Sequence, residues 1–185
     1  MTQGHYPSAQ AGPTCFGNGA VFDRTCFFAL LEQAIAVAQA GSAPVLIVTD
    51  LPGLRDAAPS HALQLSDAVA GRMADALGGH GFLGAQPGGR FAALIASDGP
   101  VDTPAMAQML LASLARPIVI DGQVLATGAV LGMAHWGRDG QTAEELFVAA
   151  DHAIHETNSR ALAALALPDP VEGVRFVPSP LRKSA

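Results

Sequence analysis

The feature that most constrains the fold is an unbroken apolar run at residues 44–49, Pro-Val-Leu-Ile-Val-Thr. A strand with one face in water alternates polar and apolar residues, whereas a continuous run of aliphatic, largely β-branched residues suits a strand covered on both faces. Such a strand requires packed layers on each side of its sheet. Asp50 follows the run directly, so we expect a carboxylate at the end of this buried strand.

Helix-like and strand-like patterns alternate along the rest of the chain. Helices are predicted where apolar residues recur at helical spacing between capping and stop residues, at residues 23–40, 60–77, 103–114 and from Thr142 onward. In the second helix the residues expected to be buried are Leu63, Val69, Met73 and Leu77. Short apolar runs joined by Gly-containing turns predict strands at residues 82–86, 90–96, 117–120 and 124–134.

This order of elements predicts an α/β fold of the α+β sandwich type. We expect a central mixed sheet of about five strands flanked by helices, together with a C-terminal β-hairpin and a last helix. Residues 20–167 would form the domain. Residues 1–19 are rich in Gly, Pro, Ser and Gln, which predicts a flexible tail, and the prolines after Leu167 predict an extended Pro-rich tail at 168–185.

The composition argues against several classes of function. The formal net charge is −6 and only 14% of the residues are charged, so the chain lacks the basic surface that nucleic-acid binding needs. Its apolar runs are too short for a membrane span and its polar start lacks the order of a secretory signal, so we expect a cytoplasmic protein. Cys15 and Cys26 form no metal-binding pattern and are expected to be reduced thiols.

Five short segments, in this order, resemble the GGDEF family, whose members condense two GTP molecules into cyclic di-GMP. The segment at the family's signature position is Pro87-Gly88-Gly89-Arg90-Phe91, in the predicted hairpin turn. The other four segments are similar to the family's opening, its metal-binding strand, its Ser-Ile-Gly-Ile-Ala strand and its last helix, and they lie at 21–24, 46–51, 130–134 and 150–155. The resemblance implies the GGDEF fold, which is similar to that of nucleotidyl cyclases.

The same resemblance implies which residues catalysis would need. A cyclase must hold divalent cations on a triphosphate, and such hard ions take oxygen ligands, chiefly carboxylates. In the family the aspartate at the strand end and the acidic positions of the signature turn supply them. Asp50 and the Leu51 carbonyl remain, but Gly89 and Arg90 replace the acids and Pro87 replaces the first glycine. We therefore predict a degenerate domain with no catalytic residue, no bound metal or cofactor and no enzymatic activity.

Four positions could be remnants of a nucleotide site: Asp50, Leu51, Arg55 and Asp67. The charged ones also have simpler interpretations. A turn at the strand end explains Asp50 more easily than a lone metal ligand does, and a solvated helix position explains Asp67 better than contact with a purine. Arg55 and Arg90 could each bind an oxyanion or form a surface ion pair.

Three histidines raise a separate possibility. His152 and His155 lie three residues apart on the last predicted helix, a spacing that lets two side chains share a metal ion. His135 could join them if the fold brought it near. Transition-metal sites usually have a fuller ligand set, so this pattern is a weak indication of a metal.

Three functions are compatible with these patterns. The preferred one is a catalytically inactive module that acts by binding a protein partner or by self-association, as a regulatory step in bacterial cyclic di-GMP-linked signalling. The alternative is a module that senses GTP or another purine nucleotide without turnover. The third is an enzyme with an altered metal or substrate, for which the three histidines are the only motive.

Overall fold

A computed structural model of the protein describes residues 21–38, 43–79, 81–96 and 102–166, without the side chains of 161–166. The predicted tails at 1–19 and 168–185 lie outside these residues, as does Cys15. The domain boundaries therefore stay predictions.

Within these ranges the chain forms five helices and seven strands. The helices are α1 (Arg24–Ala36), α2 (Pro52–Arg55), α3 (Pro59–Leu77), α4 (Thr103–Ala115) and α5 (Ala143–Ala166). The strands are β1 (Val21–Phe22), β2 (Val45–Asp50), β3 (Gly81–Gln86), β4 (Arg90–Ile95), β5 (Ile118–Ile120), β6 (Gln123–Leu125) and β7 (Val130–His135).

Five of these strands form one mixed sheet, in the order β1-β3-β4-β2-β7. β1 runs parallel to β3, and the other pairs are antiparallel. The strands β5 and β6 form a separate two-stranded hairpin. The predicted mixed sheet of about five strands is therefore confirmed. In this register Asp50 of β2 lies opposite Arg90 of β4 and Val130 of β7.

The central strand β2 is covered on both faces, as its apolar run predicts. Val45 and Ile47 belong to the core that α3, α4 and the β5–β6 hairpin cover. Leu46 and Val48 belong to the core on the other face, which α1 and α5 cover. Among the described residues, none of the helices has both the length and the apolar character that crossing a bilayer requires.

Side chains near the helix ends explain where the helices begin. Asp23 and Asp102 each accept a backbone N–H bond from the first turn of the helix that follows. At the start of α5, the Glu145 N–H donates to the Thr142 hydroxyl at 3.2 Å, and the Thr142 N–H donates to the Glu145 carboxylate at 3.3 Å. This reciprocal pair is the capping box that the sequence predicts.

Two details of the prediction are wrong. The strand predicted at 124–134 is interrupted at 126–129, where the backbone crosses α2 and the Gly53 N–H donates to the Thr127 carbonyl at 2.7 Å. The buried Thr127 hydroxyl donates to the Leu114 carbonyl at 3.0 Å, which holds the interruption in place. Leu63, expected in the core, is 72% exposed, because α3 turns Leu65 and every fourth residue after it inward.

Candidate functional site

The signature residues form the turn between β3 and β4, beside the end of β2. Gly88 and Gly89 adopt positive φ angles of 77° and 72°, which glycine tolerates and other residues rarely adopt. Arg90 begins β4 directly after them. The short helix α2, which the sequence patterns did not predict because four residues are too few to show periodicity, lies against this turn.

The base of this hairpin is fixed to the central strand. The Phe91 side chain is 2% exposed and packs in the core that α3 covers. Next to it, the buried Thr49 hydroxyl donates to the Phe91 carbonyl at 3.1 Å and accepts from the Phe91 N–H at 3.3 Å. Phe91 and Thr49 together, here called the hairpin base, place the turn independently of the residues at its tip.

At the tip, Gly89 leaves no room for a side chain. A Cβ atom there would lie 2.8 Å from the Arg55 backbone nitrogen, 3.1 Å from its Cα and 3.2 Å from its Cβ. The obstructing atoms are mostly backbone, so they cannot move aside as the end of a flexible side chain could. The backbone of α2 therefore occupies the space that an acidic side chain at position 89 would need.

Contacts on its other side hold α2 in this position. The Leu51 carbonyl accepts N–H bonds from Leu54 at 3.0 Å and from Arg55 at 3.1 Å, so α2 itself uses this oxygen. On the opposite side a Cβ atom on Gly53 would meet the Ala126 carbonyl oxygen at 2.2 Å. The helix is thus closely packed between the signature turn and the 126–129 segment.

The charged side chains around the turn form two ion pairs. The Arg55 Nη2 group donates to both carboxylate oxygens of Asp50 at 3.2 Å, and the two side chains are 48% and 15% exposed. Arg90, which lies opposite Asp50 in the sheet, donates instead to the Asp151 carboxylate of α5. The ion-pair interpretation of Arg55 and Arg90 is therefore the one that the geometry supports, and Asp50 has a guanidinium partner.

Between α2, α3 and the turn lies a cleft of about 290 Å³, here called the signature cleft. Arg55, Gln86, Gly88, Gly89 and Arg90 contribute to its lining, and Leu54, Phe91 and two alanines supply apolar surface. Of the described residues that line it, none is acidic. The structure thus brings Arg55 together with the signature residues.

Asp67 lies outside this lining. Its side chain is exposed on α3, and its neighbour Ser66 lines the cleft instead. The interpretation of Asp67 as a solvated helix residue therefore agrees with the structure better than a purine contact does.

Sequence reasoning did not identify Gln86 as a residue of the cleft lining. Gln86 lies at the end of β3, opposite Arg90, and this position becomes visible only when the hairpin register is known.

The three histidines do not come together. His135 contacts the Thr103 hydroxyl through Nε2 at 3.1 Å and Arg138 through Nδ1 at 2.6 Å. His152, 72% exposed, lies 3.7 Å from Glu156. Within the described part of the chain, no three His, Cys, Asp or Glu side chains are grouped so that they could hold a metal ion.

The residues present do not fit the divalent cations that the family resemblance implies. A magnesium ion needs oxygen ligands with few competing positive charges nearby. Here the Asp50 carboxylate is paired with Arg55, the Leu51 carbonyl accepts two backbone bonds, and Arg90 brings a positive charge to the former acidic position. The same elements that would build a metal site instead carry two arginine–carboxylate ion pairs.

The chain was compared with protein-family models, with curated proteins and with solved structures. No protein-family model matches the chain. A curated relative described as an uncharacterized signaling protein, from Caulobacter vibrioides, is 31% identical over 125 residues, which are 64% of this chain and 16% of that protein. The chain therefore spans only about a sixth of that relative's length.

Solved structures extend the comparison. A sensory box/GGDEF family protein from Caulobacter crescentus is 29% identical with a TM-score of 0.64, covering 79% of this chain and 99% of that one. The diguanylate cyclase SiaD of Pseudomonas aeruginosa, solved in complex with its activator SiaC, is 17% identical with a TM-score of 0.65, covering 75% of this chain and 55% of that one. The first similarity extends to sequence, and the second is one of fold.

Proposed function

Because the chain is a GGDEF-type domain by its fold, we propose that it is a non-catalytic member of this group, acting as a regulatory module that binds a protein partner in cyclic di-GMP-linked signalling. A chain can keep a fold while it lacks the particular side chains that catalysis needs. Self-association is the simplest form of such a partnership.

The observation that carries this proposal is the packing of the Arg55 backbone against Gly89. With a Cβ at position 89 placed 2.8 Å from the Arg55 nitrogen, an aspartate cannot be restored there without moving α2. The close contact with α2 therefore supports the proposal that position 89 does not carry a catalytic acid. Removing a single charge-stabilising group typically costs roughly 100- to 1,000-fold in rate, so losing both signature acids should leave no useful turnover.

Support for a protein partner comes from what surrounds the altered site. The hairpin base and both cores are intact, so the domain presents a defined surface. SiaD, which shares the fold, is described with a protein activator. The curated relative, described as a signaling protein, holds the matching domain within a much longer chain, where it adjoins other regions.

The test is a turnover assay with GTP and either magnesium or manganese, followed by chromatography. We expect no cyclic dinucleotide from this chain. The double variant Gly89→Asp, Arg90→Glu restores the acidic pair and is expected to stay inactive, because an aspartate side chain at position 89 would collide with the Arg55 backbone. A cyclic dinucleotide made by the unaltered chain would overturn the proposal, and one made by the double variant alone would show that α2 does not block the site.

A second candidate is nucleotide sensing without turnover. It is favoured by Arg55, Gly88 and Gly89 in the lining of the signature cleft, because an arginine fork and exposed backbone N–H groups both suit phosphates. Calorimetry with GTP, with and without magnesium, decides between the candidates. Saturable heat that is lost in the Arg55→Gln variant would favour sensing, and the absence of heat would exclude it.

A further inference from the structure

The composition of α4 differs from that of the other helices in the described part of the chain. No charged residue lies within its bounds, Thr103–Ala115, whereas each of the other four helices contains at least one. The outer face of a surface helix usually carries charged side chains. On a chain with a formal net charge of −6, this uncharged face lets a second acidic protein approach with little electrostatic repulsion.

Five exposed residues at and between the two ends of α4 lie on one side of the helix. They follow one another at alternating steps of three and four residues, the spacing by which two helices pack together along a seam. This side points away from Ala107, Leu110 and Leu114, which α4 buries in the protein. The five residues, here called the α4 stripe, are Asp102, Ala105, Met109, Ala112 and Arg116.

The two ends of the α4 stripe carry opposite charges, and its middle is apolar. Met109, which is 49% exposed, lies seven residues after Asp102 and seven residues before Arg116. Ala105 and Ala112 flank Met109 and are small enough for a second helix to approach closely. Two antiparallel α4 helices that meet at Met109 therefore place Asp102 of each copy level with Arg116 of the other.

Both end charges are available for such a contact. The ion pairs formed among the described residues do not include the Arg116 guanidinium, and only the Arg116 carbonyl is bonded, to Arg72. Asp102 accepts the Ala105 N–H at 3.0 Å through Oδ1, so its Oδ2 atom can accept from outside. Each end of the stripe finds its opposite charge on an identical stripe turned around, which favours a second copy of the chain as the partner.

We propose that two copies of the chain associate through the α4 stripe, with the two α4 helices antiparallel about a two-fold axis at Met109. Met109 and the two alanines form the apolar centre, and an Asp102–Arg116 pair lies at each end. This inference rests on the proposed function as a partner-binding module and specifies self-association as its form. One helix face is smaller than a standard stable interface, so we expect a reversible dimer with a dissociation constant between micromolar and millimolar.

Sedimentation equilibrium of the full chain, from micromolar to millimolar concentration, tests the proposal. The expected result is a reversible monomer–dimer equilibrium. Met109→Asp places two like charges at the axis and should weaken dimerisation about 100-fold. Leu63→Asp is the matched control, because Leu63 is 72% exposed on α3, outside the stripe, and the same charge there should leave the equilibrium unchanged. Circular dichroism verifies that both variants fold.

The end charges provide a second test that does not depend on the Met109 variant. Arg116→Gln and Asp102→Asn should each weaken dimerisation about fivefold, because either change removes both exposed pairs. Asparagine still caps a helix, so α4 keeps its first turn in Asp102→Asn. The double variant should be no weaker than either single variant, since the same pairs are lost.

Several outcomes would overturn the proposal. They are a chain that stays monomeric at every concentration, a dimer that Met109→Asp leaves intact, and an equal loss in the Leu63 variant. Losses from Arg116→Gln and Asp102→Asn that simply add in the double variant would also contradict the pairing. A parallel arrangement would set Asp102 against Asp102 of the other copy, so stronger dimerisation of Asp102→Asn would exclude the antiparallel one.

These results are independent of the turnover assay. If the chain is monomeric and no cyclic dinucleotide forms, the inference about α4 is wrong while the non-catalytic proposal stands. If a cyclic dinucleotide forms, the non-catalytic proposal fails whatever the oligomeric state.

Discussion

The hairpin base and its tip are consecutive in the chain but are held by different interactions. At the base, Phe91 is 2% exposed and its backbone is bonded on both sides to the buried Thr49 hydroxyl. At the tip, Gly88 is exposed, and Gly89 touches the backbone of α2. The fold depends on the base, so the tip could change its chemistry without loss of the fold.

Phe91→Ala is the strongest test of whether the hairpin base, rather than the tip, holds the fold. We expect a loss of about 3–5 kcal/mol in the free energy of unfolding, because a large buried aromatic side chain is removed and a cavity remains. Denaturant unfolding measures it. A loss below about 1 kcal/mol would mean that the hairpin is not anchored by this residue.

The sheet beneath the hairpin offers a second test, Gly132→Ala in β7. A Cβ atom there would lie 1.9 Å from the Ala150 carbonyl oxygen and 2.8 Å from Ile154 Cγ1, so α5 must move away from the sheet. We expect a destabilisation of about 3 kcal/mol, measured by denaturant unfolding. Gly71→Ala is the control: nothing lies within 4 Å of the added Cβ in α3, and removing a helix-interior glycine should stabilise by about 0.5–1 kcal/mol.

At the tip, Gly88→Ala and Gly89→Ala separate backbone strain from contact. Both positions have positive φ, which costs a non-glycine residue about 1 kcal/mol. Only position 89 adds the collision with Arg55, so we expect about 1 kcal/mol for Gly88→Ala and about 2–3 kcal/mol for Gly89→Ala. Equal losses in thermal unfolding would show that α2 is not tightly packed on the turn.

A smaller effect on the free energy of unfolding should appear only in acid. It concerns Asp139, a carboxylate remote from the hairpin. Arg138 donates to Asp139, and this hydrogen bond lowers the pKa of Asp139 to about 2. Since the pKa is lower in the folded state than the roughly 3.9 of an unfolded Asp, this stabilisation is present above about pH 4 and lost as pH falls towards 2. Asp139→Asn should flatten the stability profile in that window, and an unchanged slope would contradict the assignment.

The smallest expected effect is that of Asp50→Asn at the end of β2. The Asp50–Arg55 pair has an arginine that is 48% exposed, so solvent screens it and its loss should cost less than about 1 kcal/mol. Chemical denaturation at neutral pH measures it, with Arg160→Gln as the exposed-pair reference. A cost of several kcal/mol would mean that Asp50 supports the fold. The fold would then depend on residues around the tip as well as on the hairpin base.

Much of the fold could be predicted from residue patterns. The run at 44–49 predicts a strand covered on both faces, and Val45 to Val48 do alternate between two cores. Thr142 and Glu145 predict the capping box that begins α5. These predictions succeed because they depend on local periodicity and on hydrogen bonds between residues close in sequence.

The features that the sequence did not predict depend instead on contacts between residues that are distant in the chain. The interruption at 126–129 follows from contacts with Gly53 and Leu114, which are distant in sequence. Leu63 fits a helical pattern, but only packing decides which face of α3 turns inward. Helix α2 is too short for a periodic signal and exists because its neighbours enclose it.

By itself, the sequence determined the order of elements, the buried central strand and the replacement of both signature acids by Gly89 and Arg90. The tertiary structure alone decided what took the place of those acids: the Arg55 backbone against Gly89, and ion pairs from Arg55 to Asp50 and from Arg90 to Asp151. The reason is physical, because identity and periodicity are properties of the chain, whereas the space beside a residue and the charge opposite it depend on segments that only folding brings together.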